Sequence, residues 1–192
     1  MGKIKSTAIP YAGYEYQTLY GVRKLLEWSK NPGIYTQIAF EADTSNKDIP
    51  AAVDDIVCKR ADDTYEYYQV KFTADELKHE LSWDWLFHKT KKGRSLVRKL
   101  FDGLHKVDPN KIHSAELVTN RIPSEDVCFS LTNGHLHFSA LSDEIKSKFI
   151  DELETEANVD FLFTHLKFSH SKKDILKLRV ELLSDAYKLG AS

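Results

Sequence analysis

The chain has 192 residues, of which 42% are hydrophobic and 29% charged, the balance of one soluble domain with a sizeable core. Its formal net charge of -2 argues against a uniformly polycationic binder, and no apolar run reaches the length of a membrane span. The start lacks the basic-then-apolar layout of a secretory signal, and the match of residues 1–6 to the permissive myristoylation pattern is read as chance.

In chain order, residues 14–30 predict a helix. Tyr16, Leu19, Tyr20, Leu25 and Leu26 recur at helical spacing, and Asn31-Pro32-Gly33 stops it. Residues 34–42 predict a strand and 43–50 a polar loop. Residues 53–60 and 65–72 predict the arms of a hairpin turned at Ala61-Asp62-Asp63-Thr64. Ser82 predicts a helix cap before Trp83, Trp85, Leu86 and Phe87, whose expected role is core packing. After Gly93, Leu96, Val97, Leu100, Phe101 and Leu104 return to helical spacing. Residues 115–119 predict a short buried strand, and 127–131 and 135–138 predict strands flanking Thr132-Asn133-Gly134. Ser142, with Asp143 and Glu144, opens a helix running to about residue 157. Residues 161–168 predict a strand and 171–189 a last helix. This order implies one α/β domain, a mixed central β-sheet flanked by helices. The domain is expected to span 1–192 and to be the N-terminal module of a longer protein.

Cys58 and Cys128 both lie in apolar strand-like runs, and neither has a partner at ligand spacing. They read as small buried hydrophobes in a reducing, cytoplasmic setting. The histidines are read in the same way: His135 and His137 share a strand face but have no third ligand nearby, and His79, His88 and His105 have no partner at ligand spacing. There is no nucleophile elbow, P-loop or dinucleotide fingerprint.

Charge is unevenly distributed. From Glu41 to Glu66 acids outnumber bases eight to three, whereas His88 to Lys99 carries six Lys or Arg and no acid. Lys89, Lys91, Lys92, Arg94, Arg98 and Lys99 are therefore candidate phosphate contacts, with a solvated helix face as the plain alternative.

The most informative pairing is Asp55 with Gln69-Val70-Lys71 across the predicted hairpin. Side chains alternate along a strand, so Gln69 and Lys71 share a face while Tyr68 and Val70 take the other. Asp55 falls beside Gln69 and Lys71. A hard divalent ion wants oxygen ligands. Asp55 would be the central carboxylate, Gln69 would offer its amide oxygen, and Val70 its main-chain carbonyl. Lys71 would orient the attacking water or neutralise developing charge. Glu41, at the end of the preceding strand, would reach the same ion or a second one. Asp54 faces the other side. On pattern alone, a surface ladder of cross-strand polar pairs fits equally well.

Asp55 followed by Gln69-Val70-Lys71 resembles the PD-(D/E)xK nuclease superfamily in its Q-x-K variant, with a restriction-endonuclease-like fold. Further stretches resemble one branch of it: Gly13-Tyr14-Glu15-Tyr16-Gln17, Phe40-Glu41, Leu117-Val118-Thr119-Asn120-Arg121, and Asp160-Phe161-Leu162-Phe163 leading to Leu166-Lys167-Phe168. That branch is the nuclease domain placed N-terminally on CD-NTase-associated SAVED effectors and antiviral STAND NTPases. The resemblance implies a Mg2+-dependent endonuclease on double-stranded DNA, with Mn2+ able to substitute, acting in bacterial antiphage defence. It implies self-association or a C-terminal sensor or oligomerisation region, and no membrane. Asp55, Gln69 and Lys71 match the catalytic motif, Glu41 the upstream acid, and Gln17 the helix-one glutamine, read as pocket support. Gln69 replaces a second carboxylate, so metal affinity leans on Asp55 and Glu41. The competing readings are a catalytically degenerate binding or assembly module and the same chemistry on RNA.

Overall fold

The computed structural model describes residues 8–42, 49–89 and 93–190. The myristoylation-like start, most of the polar loop at 43–50, and Lys91 and Lys92 lie outside the described residues.

The chain opens on α1 (Ala8–Lys30), longer at its start than the apolar spacing indicates, because Tyr11 and Tyr14 are exposed and extend no buried stripe. Strands β1 (Tyr35–Phe40), β2 (Ile56–Arg60) and β3 (Tyr65–Lys71) form an antiparallel meander. At the β2–β3 turn Asp62 accepts the Thr64 N–H at 3.1 Å and Asp63 adopts φ 65°, the local bonding and left-handed backbone that Asp tolerates. Next come α2 (Trp83–Phe87) and α3 (Leu96–Leu104), with the Ser82 and Ser95 hydroxyls accepting from the Trp85 and Arg98 N–H groups. Strand β4 (Ile112–Thr119) pairs parallel with β3. Then follow α4 (Glu125–Phe129), the small hairpin β5 (Leu131–Thr132) and β6 (His135–Leu136), α5 (Asp143–Leu153), α6 (Glu156–His165), β7 (Leu166–Ser169) and α7 (Ile175–Gly190). The main sheet has five strands in the order β1-β2-β3-β4-β7, antiparallel as far as β3 and parallel from there, so it is a mixed α/β sheet.

Four sequence expectations change. Residues 127–129 belong to α4 rather than a strand; only Val127 of its five residues is buried, and Phe129 is 76% exposed, so the apolar run marks no sheet. Cys128 sits there exposed, unlike the buried Cys58. Residues 161–165 close α6, and the strand begins only at Leu166; Val159, Leu162 and Phe163 are buried at helical spacing, a stripe the Phe-Leu-Phe run disguises. The helix begun at Ser142 stops at Glu154, which turns left-handed (φ 77°), and Thr155 caps a new helix by accepting the Asn158 N–H.

The central strands are buried on both faces, as parallel-type strands are. Ile56, Cys58, Tyr68 and Val70 pack under α1 and α7 with Tyr16, Tyr20, Leu178 and Leu182. Val57, Tyr67 and Leu117 face the layer built from α2, α3, α5 and α6. Buried Glu66 of β3 ties α1 to the sheet. It accepts from the hydroxyls of Tyr68 (2.6 Å) and Tyr35 (2.8 Å) and pairs with Arg60 (2.6 Å) and buried Lys24 (3.3 Å). Burial works against the Glu66 carboxylate, but Tyr68, Lys24, Tyr35 and Arg60 outweigh it and hold its pKa below the ordinary range. Gly21 lets α1 lie directly on the end of β1: a Cβ there would overlap the Phe40 ring. This close approach seats the chain one residue before Glu41.

Candidate active site

The site forms where β1 ends, β2 begins and β3 ends. Asp55 immediately precedes β2, and its main-chain carbonyl is held from two sides. The Glu41 N–H donates to it at 3.0 Å, and the Gln17 side-chain amide from α1 at 3.3 Å. Glu41 itself has φ 44°, an uncommon conformation for a side-chain-bearing residue and one that tends to accompany functional sites. Asp54 points elsewhere and accepts the Ala52 N–H at 2.9 Å, the separation of the two acids that strand alternation predicts.

The Asp55 carboxylate is gripped through one oxygen. Oδ2 accepts the Val70 N–H at 2.7 Å and the Gln69 side-chain amide, and lies 3.9 Å from the Lys71 ammonium. Oδ1 takes no hydrogen bond among the described residues, and the side chain retains 20% exposure toward a cavity of about 440 Å3. Tyr14, Gln17, Glu41, Asp55, Val70 and Lys71 line that cavity. Burial pushes the Asp55 carboxyl above its ordinary range; the Lys71 charge and the Val70 and Gln69 hydrogen bonds pull the other way without cancelling it.

The structure therefore brings Asp55, Gln69, Val70, Lys71, Glu41 and Gln17 to one place, with one change of role. Gln69 is 4% exposed and does not line the cavity. Its amide nitrogen faces Asp55, so it props the carboxylate rather than offering an oxygen to the cavity. Presenting that oxygen would require the amide to turn over.

The donor set suits a hard divalent ion. Asp55 and Glu41 supply carboxylates, the surroundings add further oxygens, and a cation would relieve the burial penalty on Asp55. No group of three or more His, Cys, Asp or Glu able to hold a metal forms among the described residues. An ion here would keep several waters, as magnesium commonly does.

The basic stretch is less available than its sequence implies. Lys89 pairs with Glu152 at 2.5 Å, Arg94 with Asp102, and Arg98 with Asp102 (2.7 Å) and Glu154 (2.8 Å). These cations have acidic neighbours to pair with. Lys99 is exposed and has no carboxylate partner among the described residues. The Trp83 and Phe87 rings pack edge-on against Phe149, at 5.8 and 4.8 Å, which is core packing. The His135 Nδ1 lies 3.2 Å from the Phe163 carbonyl oxygen, a satisfied histidine.

Sequence reasoning gave no role to Asn120, just past β4. Its side chain accepts the Thr73 N–H (2.9 Å) and donates to the Thr73 carbonyl (2.8 Å), clamping the chain two residues beyond Lys71. The residue is 2% exposed. Asn120→Ala orphans both backbone groups and is expected to cost about 2 kcal/mol, read as a lower urea midpoint at unchanged slope. Its signal in the sequence was an Asn directly after a strand, within the resembling stretch Leu117-Val118-Thr119-Asn120-Arg121.

Architecture and site together place the chain in the class of PD-(D/E)xK-like nuclease domains. The family model described as the Cap4 dsDNA endonuclease domain matches residues 6–188, nearly the full length, and the chain belongs to that family. No curated protein matches it. No helix among the described residues is long and apolar enough to cross a membrane.

Proposed function

We propose that this domain hydrolyses phosphodiester bonds of double-stranded DNA with Mg2+ or Mn2+ bound at Asp55 and Glu41, as the effector domain of a bacterial antiphage defence protein. Family membership supports the substrate class, and resemblance to defence effectors supports the setting. The observation that carries the chemistry is the Asp55 carboxylate, fixed through Oδ2 and with Oδ1 taking no hydrogen bond among the described residues, beside an open cavity and a lysine.

Each residue then has a task. Asp55 and Glu41 hold the ion, with the Val70 carbonyl as a further donor. When bound, the ion supplies Lewis-acid stabilisation of the phosphoryl oxygens and lowers the pKa of water. Gln69 and the Val70 N–H fix the Asp55 rotamer, and Gln17 fixes its main chain. The Lys71 ammonium holds the attacking water or the non-bridging phosphate oxygen, where negative charge grows. Self-association, or a sensor region linked to this domain, fits a nuclease whose activity must be restrained until infection.

The test is relaxation and linearisation of supercoiled plasmid with magnesium or with EDTA, using the chain both alone and fused to a trimerising tag. Magnesium-dependent cutting is expected, and none with EDTA. Cutting that survives EDTA would contradict the metal assignment, and failure of both forms with magnesium would contradict the activity. Running RNA beside DNA decides between the polymers, since phosphate contacts alone do not. A degenerate binding module is the second reading, favoured by the Gln69 amide nitrogen that faces Asp55 where other members of the superfamily place a second carboxylate. It predicts no divalent-ion uptake at this site.

Acid should weaken ion binding early. The proton competes for a carboxyl whose folded pKa is raised, so manganese affinity should fall on acidification at a pH above the ordinary Asp value of about 3.9. Calorimetric titrations between neutral and mildly acidic pH check this; affinity constant across that range would contradict it.

A further inference from the structure

We propose that the sugar-phosphate backbone flanking the cut site is held at the edge strand β7, by Lys167 and Lys172 with His170 between them. This rests on the nuclease reading above and adds a binding surface to it.

Topology supplies the first support. β3, β4 and β7 are parallel, so their C-terminal ends lie on one side of the sheet. Lys71 is level with Thr119, and Val118 with Ser169, which puts His170 in the same row as Lys71. Strands lie about 4.8 Å apart, so this row reaches from Lys71 to β7 in roughly 10 Å. The Lys172 N–H donates to the Thr119 carbonyl at 3.2 Å, which folds the segment after β7 back over the end of β4. A duplex running from Lys71 along this rim would meet His170 and Lys172 at the row itself and Lys167 three residues behind it, level with Tyr68.

Charge supplies the second. A cavity of about 400 Å3 at the β7 edge is lined by Asn133, Gly134, Lys167, His170 and Lys172, and no acid lines it. Neither Lys167 nor Lys172 has a carboxylate partner among the described residues, unlike Lys89, Arg94 and Arg98. Burial and the Lys172 charge hold the His170 imidazole below its ordinary pKa. The positive charge of the groove is therefore that of its two lysines; the acid beside Lys167 in the β4–β7 register, Glu116, is engaged by the Ser169 hydroxyl at 2.6 Å.

Pre-organisation supplies the third. The Phe168 N–H donates to the Gly134 carbonyl at 2.7 Å, which ties the Asn133-Gly134 turn to β7. Gly134 has φ 85°, and a Cβ there would lie 2.9 Å from Lys167 Cγ. The turn thus rests on the Lys167 stem and limits its freedom. A lysine on an edge strand also discourages strand addition from another chain. Charge reversal keeps that protection and so separates the two roles.

The experiment is fluorescence anisotropy of a labelled duplex in EDTA across a range of salt, with plasmid cutting in magnesium measured in parallel. Lys167→Glu/Lys172→Glu is expected to weaken binding tenfold or more and to lower the salt slope by about two. Lys167→Gln/Lys172→Gln should lower the slope likewise, with an unchanged circular dichroism spectrum. Lys106→Glu, an exposed lysine beyond α3, should leave affinity, slope and cutting as in the wild type. If the double variants bind with wild-type affinity and slope while the wild type cuts DNA, the surface is overturned and the nuclease reading stands. If the wild type neither binds nor cuts, both fall.

Discussion

Asp55→Asn is expected to abolish divalent-ion uptake, to cripple DNA cleavage and to make the metal-free domain more stable at neutral pH. The loss follows from position: Asp55 is the carboxylate at the centre of the site, and Glu41 alone would have to hold the ion. Cleavage is expected to fall about 10³-fold or more, since metal stabilisation of the transition state is worth several kcal/mol. The gain follows from linkage. The folded pKa of Asp55 is raised, so the folded chain tolerates its anion less well than the unfolded chain does. As pH rises from the ordinary Asp range through the raised folded value, the wild type loses stability, and above that value the loss is constant. Asparagine carries no charge to desolvate, and its amide oxygen can still accept the Val70 N–H. The advantage of the variant should disappear below the ordinary Asp range, where both states of the wild type are protonated. Thermal melts in EDTA at neutral and acidic pH check it. A variant less stable than the wild type at neutral pH would contradict the burial argument.

Lys71→Ala separates chemistry from binding. The lysine is 40% exposed, lies 3.9 Å from Asp55 Oδ2 and lines the cavity without contributing an oxygen. Its removal should leave manganese uptake nearly intact and lower the cleavage rate about 10²- to 10³-fold, the usual scale for losing one preorganised charge at a developing anion. Duplex affinity in EDTA should change little, because one phosphate contact among several is removed. Equal cutting by wild type and variant would remove Lys71 from the mechanism. Loss of manganese uptake along with cutting would make the lysine a structural support for Asp55 instead.

The grouping of Asp55, Gln69 and Lys71 was legible because its logic is local. Two strands joined by a four-residue turn fix the register, and strand alternation then decides that Asp55 rather than Asp54 meets Gln69. The orientation of the Gln69 amide was not legible, since it depends on which group fills the space beside Asp55 once the chain is packed. The ion pairs of the basic run at residues 88–99 were only partly legible, because composition shows charge and not partners. Asp102 meets Arg94 and Arg98 within and just before α3 itself, whereas Glu152 and Glu154 reach the run only after α5 folds against α3. Lys167 and Lys172 were hidden for a related reason: that β7 is an edge strand, and that the chain after it turns back to the end of β4, depends on strand order across the sheet. Short apolar runs such as 127–129 and 161–165 fit either period, and burial against distant elements decides between them.

Anomalous diffraction from crystals soaked in manganese tests the metal site most directly. One peak is expected in the cavity between Asp55 and Glu41, within about 2.2 Å of a carboxylate oxygen of Asp55 and lost in Asp55→Asn. A wild-type crystal with no peak there at millimolar manganese, or with the ion bound elsewhere on the chain, would contradict it.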